Sequence, residues 1–195
     1  MQVENTSEGE LILIRHAPNR ETGYLIGRTD VSARIDAAAI ADLIEKLPVV
    51  SDIIVSPAKR CVETAMALWP NQALRKDARL WEQDFGCNEG ARYADLPDIG
   101  VKTNQELARY RPEGGESFDD LCARSFAAMK DWSAKASTEG KTIALVVHAG
   151  TIRAALGLAM GNSAAALSFE IDHLSITRLR AGHEGPVSIR GVNLT

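Results

Sequence analysis

LILIRHAPNR, residues 11–20, runs through four aliphatic side chains and then breaks at a cation, an imidazole and a proline. An apolar run of strand length with no polar alternation fits a strand buried on both faces, here Glu10 to Arg15. Such strands belong to sheets with helices on both sides, so the rest of the chain should repeat the unit. It does. DIIVS (52–56) passes directly into SPAKRCVETAMALW (56–69), and KTIALVVHAG (141–150) passes into TIRAALGLAM (151–160). Strand and helix alternate, which gives an α/β class with a mostly parallel central sheet. FEIDHLSITRLRAG (169–182) and PVSIRGVNL (186–194) read as two late strands that add an antiparallel edge.

The helices carry their own punctuation. In residues 33–47, Ala37, Ile40, Ala41, Ile44 and Leu47 recur at helical spacing, with Ser32 as the expected N-cap and Pro48 beyond the end. Ser56 is placed to cap the second helix, and Pro57 suits its first position. Ser117 and Asp120 stand in capping-box spacing before the apolar residues Phe118, Leu121, Cys122 and Met129. Gly161 can end the helix that follows the third strand. Residues 70–115 are irregular and rich in turn formers, and residues 1–9 read as a loose tail. With no repeat or linker, residues 1–195 are expected to form one domain.

Composition narrows the function. A net charge of −4 argues against a nucleic-acid surface, while a few pocket arginines could still hold a small anion. Cys61, Cys87 and Cys122 form no CxxC pair and read as reduced thiols. The start MQVENTSEGE is polar and acidic, and no apolar run approaches the ~18 residues of a membrane helix. The expectation is a soluble, cytoplasmic protein that binds neither nucleic acid nor membrane.

Three strand ends carry the chemistry. The first ends in Arg15-His16, the second leads to Arg60 in the first turn of a helix, and the third ends in His148 before Gly150-Thr151. In a parallel sheet these carboxyl ends share one edge, where ligands bind. Arginine presents a planar fork of donors matched to phosphate oxygens. The free amides at the helix start after His148 add donors and a favourable dipole. Two histidines beside two arginines disfavour imidazolium, leaving a neutral ring able to attack. Taken singly, each motif is more often a strand terminus with a solvated pair or a satisfied core histidine; it is the two histidines and two arginines at matching topological positions that point to chemistry. No HExxH, Cys/His cluster, P-loop or GxSxG elbow occurs, so no metal and no cofactor are expected.

The motifs LILIRHA, VSPAKRCVETA, RLWEQDFGCNEG, GGESFDDLCARS and LVVHAGTIRAAL, in that order, resemble the histidine phosphatase superfamily, also called phosphoglycerate-mutase-like. The resemblance implies a three-layer αβα sandwich and a metal-independent phosphomonoesterase acting through a phosphohistidine. By motif position it makes His16 the nucleophile and Glu82 the general acid, with Asp84 and Glu89 as nearby rivals. It places Arg15, Arg60, His148 and the amide of Ala149 around the phosphate. RHAPNRETGYLIGRTDVS and RPEGGESF are most similar to the α-ribazole phosphatase branch, which implies α-ribazole-5'-phosphate and cobalamin assembly. Ala17-Pro18-Asn19 replaces the family's usual Gly-Glu-Thr, so Asn19 is a candidate substrate contact, as is Arg28 in GRTD. A phosphate-binding regulatory protein without turnover and a phosphomutase are the alternatives. The expected partner is a small phosphorylated metabolite, with the chain a monomer or homodimer. His173 reads as a boundary histidine that could border the pocket, His183 as a solvated turn residue, and Arg153 as a helix-surface residue.

Overall fold

Leu11, Ile12, Leu13 and Ile14 are fully buried at the middle of a six-stranded sheet in the computed structural model, which describes residues 8–195. The strands are β1 (Glu10–Arg15), β2 (Asp52–Val55), β3 (Leu74–Lys76), β4 (Thr142–Val147), β5 (Ile176–Arg180) and β6 (Ser188–Leu194). The helices are α1 (Ala37–Lys46), α2 (Lys59–Leu68), α3 (Asn104–Arg109), α4 (Phe118–Glu139) and α5 (Ala149–Met160). Strand order is β3-β2-β4-β1-β5-β6. The first four strands run parallel, and β5 and β6 continue the sheet antiparallel. This is the mixed sheet the sequence leads one to expect.

Alternation along each strand divides the core in two. Leu11 and Leu13 of β1, Ile54 of β2 and Ile143, Leu145 and Val147 of β4 pack with Met129 of α4 and Ile152 and Leu156 of α5. Ile12 and Ile14, Ile53 and Val55, and Ala144 and Val146 face the other way, onto Ile40 and Leu43 of α1 and Cys61, Ala65 and Leu68 of α2. Each such side chain contributes about 1.5–3 kcal/mol by leaving water. Burial on both faces therefore fixes where β1 stops, and with it the position of His16.

Several local expectations shift. The first helix starts at Ala37 rather than Ala33, because Asp36 Oδ1 accepts from the amides of Ala38 (2.9 Å) and Ala39 (3.4 Å). Ser32 does not cap; its carbonyl accepts from the Arg20 amide, and Ala33 bridges Asn19. α2 starts at Lys59, so Pro57 precedes the helix and Ser56 is no side-chain cap. The Ser117–Asp120 capping box is complete, and Gly140 and Gly161 close α4 and α5 in left-handed backbone. The strand read across 169–182 shrinks to β5, and the segment before it turns back to the site. β3, α3 and three short 3₁₀ turns occupy the middle that reads as irregular.

The expected tail falls mostly on residues 1–7, outside the described residues. Gly9, however, is buried against the backbone of Ala136, and Glu8 pairs with Arg180 and Arg190. The three cysteines are free thiols. Among the described residues no helix is long and apolar enough to cross a membrane.

Candidate active site

β1 delivers His16 to the sheet edge, where its amide still donates to Val147 O (3.0 Å). The ring is 4% exposed. Its Nδ1 lies 2.7 Å from the Ala17 carbonyl, which can only accept, so Nδ1 carries the proton. Nε2 is therefore the bare nitrogen, and Arg60 Nε donates to it at 3.3 Å. Burial, then the Arg60 charge, hold His16 well below the usual histidine pKa, so the ring is neutral at working pH.

Arg60 is fully buried in the first turn of α2. Its guanidinium donates to Gly27 O (2.8 Å), Thr29 O (3.1 Å) and His148 Nδ1 (3.2 Å). That last bond leaves the His148 proton on Nε2, which donates to Ser56 Oγ at 2.8 Å. His148 is also buried and neutral, its pKa lowered by burial and then by Arg60. The two rings meet edge to face, 5.1 Å between centroids. Ser56 thus holds the buried His148 ring rather than a helix end. Thr64 accepts from the Ala17 amide (2.9 Å) and fixes the chain just after His16.

Above this buried floor opens a cleft of about 350 Å³, lined by Arg15, His16, Asn19, Glu82 and His173 among others. Arg15 donates to Ile171 O (2.5 Å), and its Nε is buried with no acceptor. Glu82 sits over the start of α5, accepting from the Gly150 amide (3.2 Å) and from Gln83 N (3.0 Å). Ala149 opens that helix, so its amide is among those a helix leaves unpaired.

Glu89 and Asp84 are placed differently from Glu82. The Glu89 carboxylate accepts from the amides of Gly27, Arg28, Thr29 and Phe85 and from the Thr29 hydroxyl. Burial pushes its carboxyl up, but those bonds outweigh it and hold the pKa below the usual glutamate value. It is a clasp between two loops. Asp84 Oδ1 is engaged by the Gly86 amide. Neither residue lines the cleft.

Arg28 and His173 fall differently relative to the cleft. Arg28 does not line the cleft; it pairs with Glu116 (3.4 Å) and lies over Trp81. His173 borders the cleft, and its Nδ1–H donates to His16 O at 2.9 Å. Burial, followed by Arg15, lowers its pKa to about 4. His183 is exposed, and Arg153 donates to Phe169 O (2.9 Å). Arg124 of α4 was invisible to sequence reading. It grips Glu116 through two nitrogens and donates to the carbonyls of Arg79, Trp81 and Glu82, which positions the loop carrying Glu82. Among the described residues no group of three or more His, Cys, Asp or Glu could hold a metal ion.

A family description, histidine phosphatase superfamily (branch 1), matches residues 11–194. A bifunctional protein of Mycobacterium tuberculosis is 30% identical over 155 residues, covering 75% of this chain; the chain spans 41% of that protein's length. Glucosyl-3-phosphoglycerate phosphatase of Mycobacterium tuberculosis is 30% identical over 166 residues, 74% of this chain and 72% of the relative. Among solved structures, mycobacterial glucosyl-3-phosphoglycerate phosphatase complexed with VO3 superposes with a TM-score of 0.80 at 25% identity, covering 96% of this chain and 100% of the other. Phosphoserine phosphatase of Entamoeba histolytica with 3-phosphoglyceric acid gives 0.80 at 21%, covering 95% and 97%, a likeness of fold.

Proposed function

The chain belongs to branch 1 of the histidine phosphatase superfamily, and from that membership we propose that it hydrolyses small phosphomonoesters through a phosphohistidine on His16. The observation that carries this reading is the His16 ring itself. Nδ1–H is tied to a carbonyl, and the bare Nε2 lies against a buried arginine.

The Nε2 lone pair attacks phosphorus as the ester P–O bond breaks, and Glu82 gives its proton to the departing oxygen. Arg60 Nε–H loses its acceptor when Nε2 binds phosphorus and turns to a phosphoryl oxygen. Arg15, with its unused Nε–H, and the amide of Ala149 complete the phosphate pocket, stabilising charge by position, while His148, its Nε2–H held by Ser56, fixes the Arg60 guanidinium beneath it. Glu82, now a carboxylate, takes a proton from water, whose oxygen attacks phosphorus. The P–N bond breaks and inorganic phosphate leaves.

The substrates named for the relatives favour a phosphoglycerate-like or phosphoserine-like ester for this chain. α-Ribazole-5'-phosphate, expected from the sequence motifs, draws no support from the relatives reported above. We place the whole activity on one domain, in a monomer or a homodimer.

The test is phosphate release without added metal, together with trapping of an acid-labile phosphoenzyme. His16→Ala should lose both, with turnover falling by roughly 10³-fold or more. Wild-type turnover retained by His16→Ala would overturn the assignment.

A further inference from the structure

A second cavity, of about 310 Å³, lies beside the catalytic cleft and shares no lining side chain with it. Leu25 and Gln83 face this cavity, while their chain neighbours Tyr24, Ile26 and Glu82 face the cleft, so these two short segments form the wall between them. Phe85, Leu96, Ile99, Leu107, Phe118 and Leu167 make most of the remaining surface apolar. Among the described residues its lining holds no acid, and Arg153 of α5 is its one charged side chain. Arg153 is half-buried, its Nε donates to Phe169 O (2.9 Å), and it forms no ion pair. Both terminal nitrogens are left without an acceptor among the described residues, and neither is closed off from solvent. Burial lowers the Arg15 pKa, Glu82 raises it, and the Arg153 charge lowers it again, so the two cations act on each other through the wall.

We propose that this cavity is a second ligand site, which takes a free carboxylic acid with an apolar body. The carboxylate sits on the Arg153 guanidinium, and the chain lies among Leu96, Leu107 and Phe118. A mostly apolar cavity with one placed polar group is the usual form of a small-molecule site, the apolar wall supplying affinity and the polar group orientation. The planar guanidinium fork matches a carboxylate in two-point contact. A phosphate dianion suits the cavity less, because it would give up its water to an apolar wall for a single cation. At about 30 Å³ for each water-sized group, the space admits roughly ten non-hydrogen atoms, the size of octanoate.

The experiment is calorimetric titration of the full chain with octanoate and with octan-1-ol, in buffer with and without saturating inorganic phosphate. Octanoate should bind one to one and tighter than octan-1-ol by roughly 10- to 100-fold, the span of one charge-assisted contact. Inorganic phosphate should leave that affinity within about two-fold, because it fills the other cavity. Arg153→Met should bring the two ligands level. Because Arg153 also holds Phe169 O, Leu107→Asp is a second check that leaves the arginine in place. Leu107 is 38% exposed on α3, so the chain accepts a carboxylate there, and octanoate should weaken by roughly 10-fold or more. The inference is overturned if octanoate fails to bind, if wild type binds the two ligands alike, or if the preference survives Arg153→Met. It is also overturned if inorganic phosphate displaces octanoate, which would put the acid in the His16 cleft. None of these results touches phosphate release, so the phosphatase reading is tested separately.

Discussion

The floor and the rim of the cleft are built in opposite ways. On the floor, His16, Ser56, Arg60 and His148 come from the ends of β1, β2 and β4 and the start of α2, all almost fully buried. Each polar atom there meets another floor residue or a loop carbonyl. On the rim, Glu21, Thr22, Gly23 and Arg34 are exposed and belong to loops between elements. The floor is rigid because the core on both faces of the sheet sets the strand ends. Nothing comparable constrains the rim, so the reaction is fixed where the fold is fixed, and substrate choice lies where sequence can change cheaply.

Breaking the floor should cost most. Arg60→Met strands the carbonyls of Gly27 and Thr29 and removes the donors to both rings. We expect kcat/KM to fall by roughly 10²–10³-fold and stability by about 1–3 kcal/mol for each acceptor left unpaired. Steady-state assays and thermal melts read both. A variant that loses activity with an unchanged melting temperature would show the floor to be less tightly built.

The clasp joining rim loops is the intermediate case. Glu89→Gln should lose about 1–3 kcal/mol near neutrality, where the carboxylate holds its amides. The folded-state pKa is depressed, so this contribution is complete above the ordinary glutamate pKa and disappears as the pH falls through the lower, folded value. Acid-unfolding curves of variant and wild type should therefore converge at low pH. Curves that run parallel throughout would assign the clasp to shape rather than charge.

His173 links the two regions and should give the smallest effect. Its folded pKa of about 4 lies below the ordinary 6.5, so over that window the unfolded chain binds the proton first. Stability should rise with pH between those values. His173→Asn keeps an N–H for His16 O and should flatten that part of the profile. Denaturant midpoints at pH 5 and 7.5 measure the change, and an unaltered slope would trace it to the buried rings of His16 and His148 instead.

Much of the floor was legible because its signals are local. A strand's burial pattern, its last residues and the helix that follows all lie within a short window, which placed Arg15, His16, Arg60 and His148 together. What escaped depends on contacts between distant segments. Ser56 looked like a helix cap until His148, 92 positions away, took its hydroxyl. Glu89 looked like a rival acid until a loop 60 positions earlier covered it with amides. Asp36 rather than Ser32 begins α1 because the preceding residues are drawn into pairing with the loop after His16. The short β3 and α3 carry too little periodicity to stand out from a turn-rich middle.

Gly150 has a further consequence. A methyl group there would strike Glu82 Oε1, the movable end of a side chain, while no part of His16 stands in its way. The two halves of the reaction could thus be uncoupled from one position on a helix. On an ester whose alcohol departs without help, the proposed transfer of phosphorus to His16 would still occur, but the carboxylate proposed to activate water would be displaced. The protein would then charge once and hold its load, a single-turnover phosphoryl acceptor rather than a hydrolase.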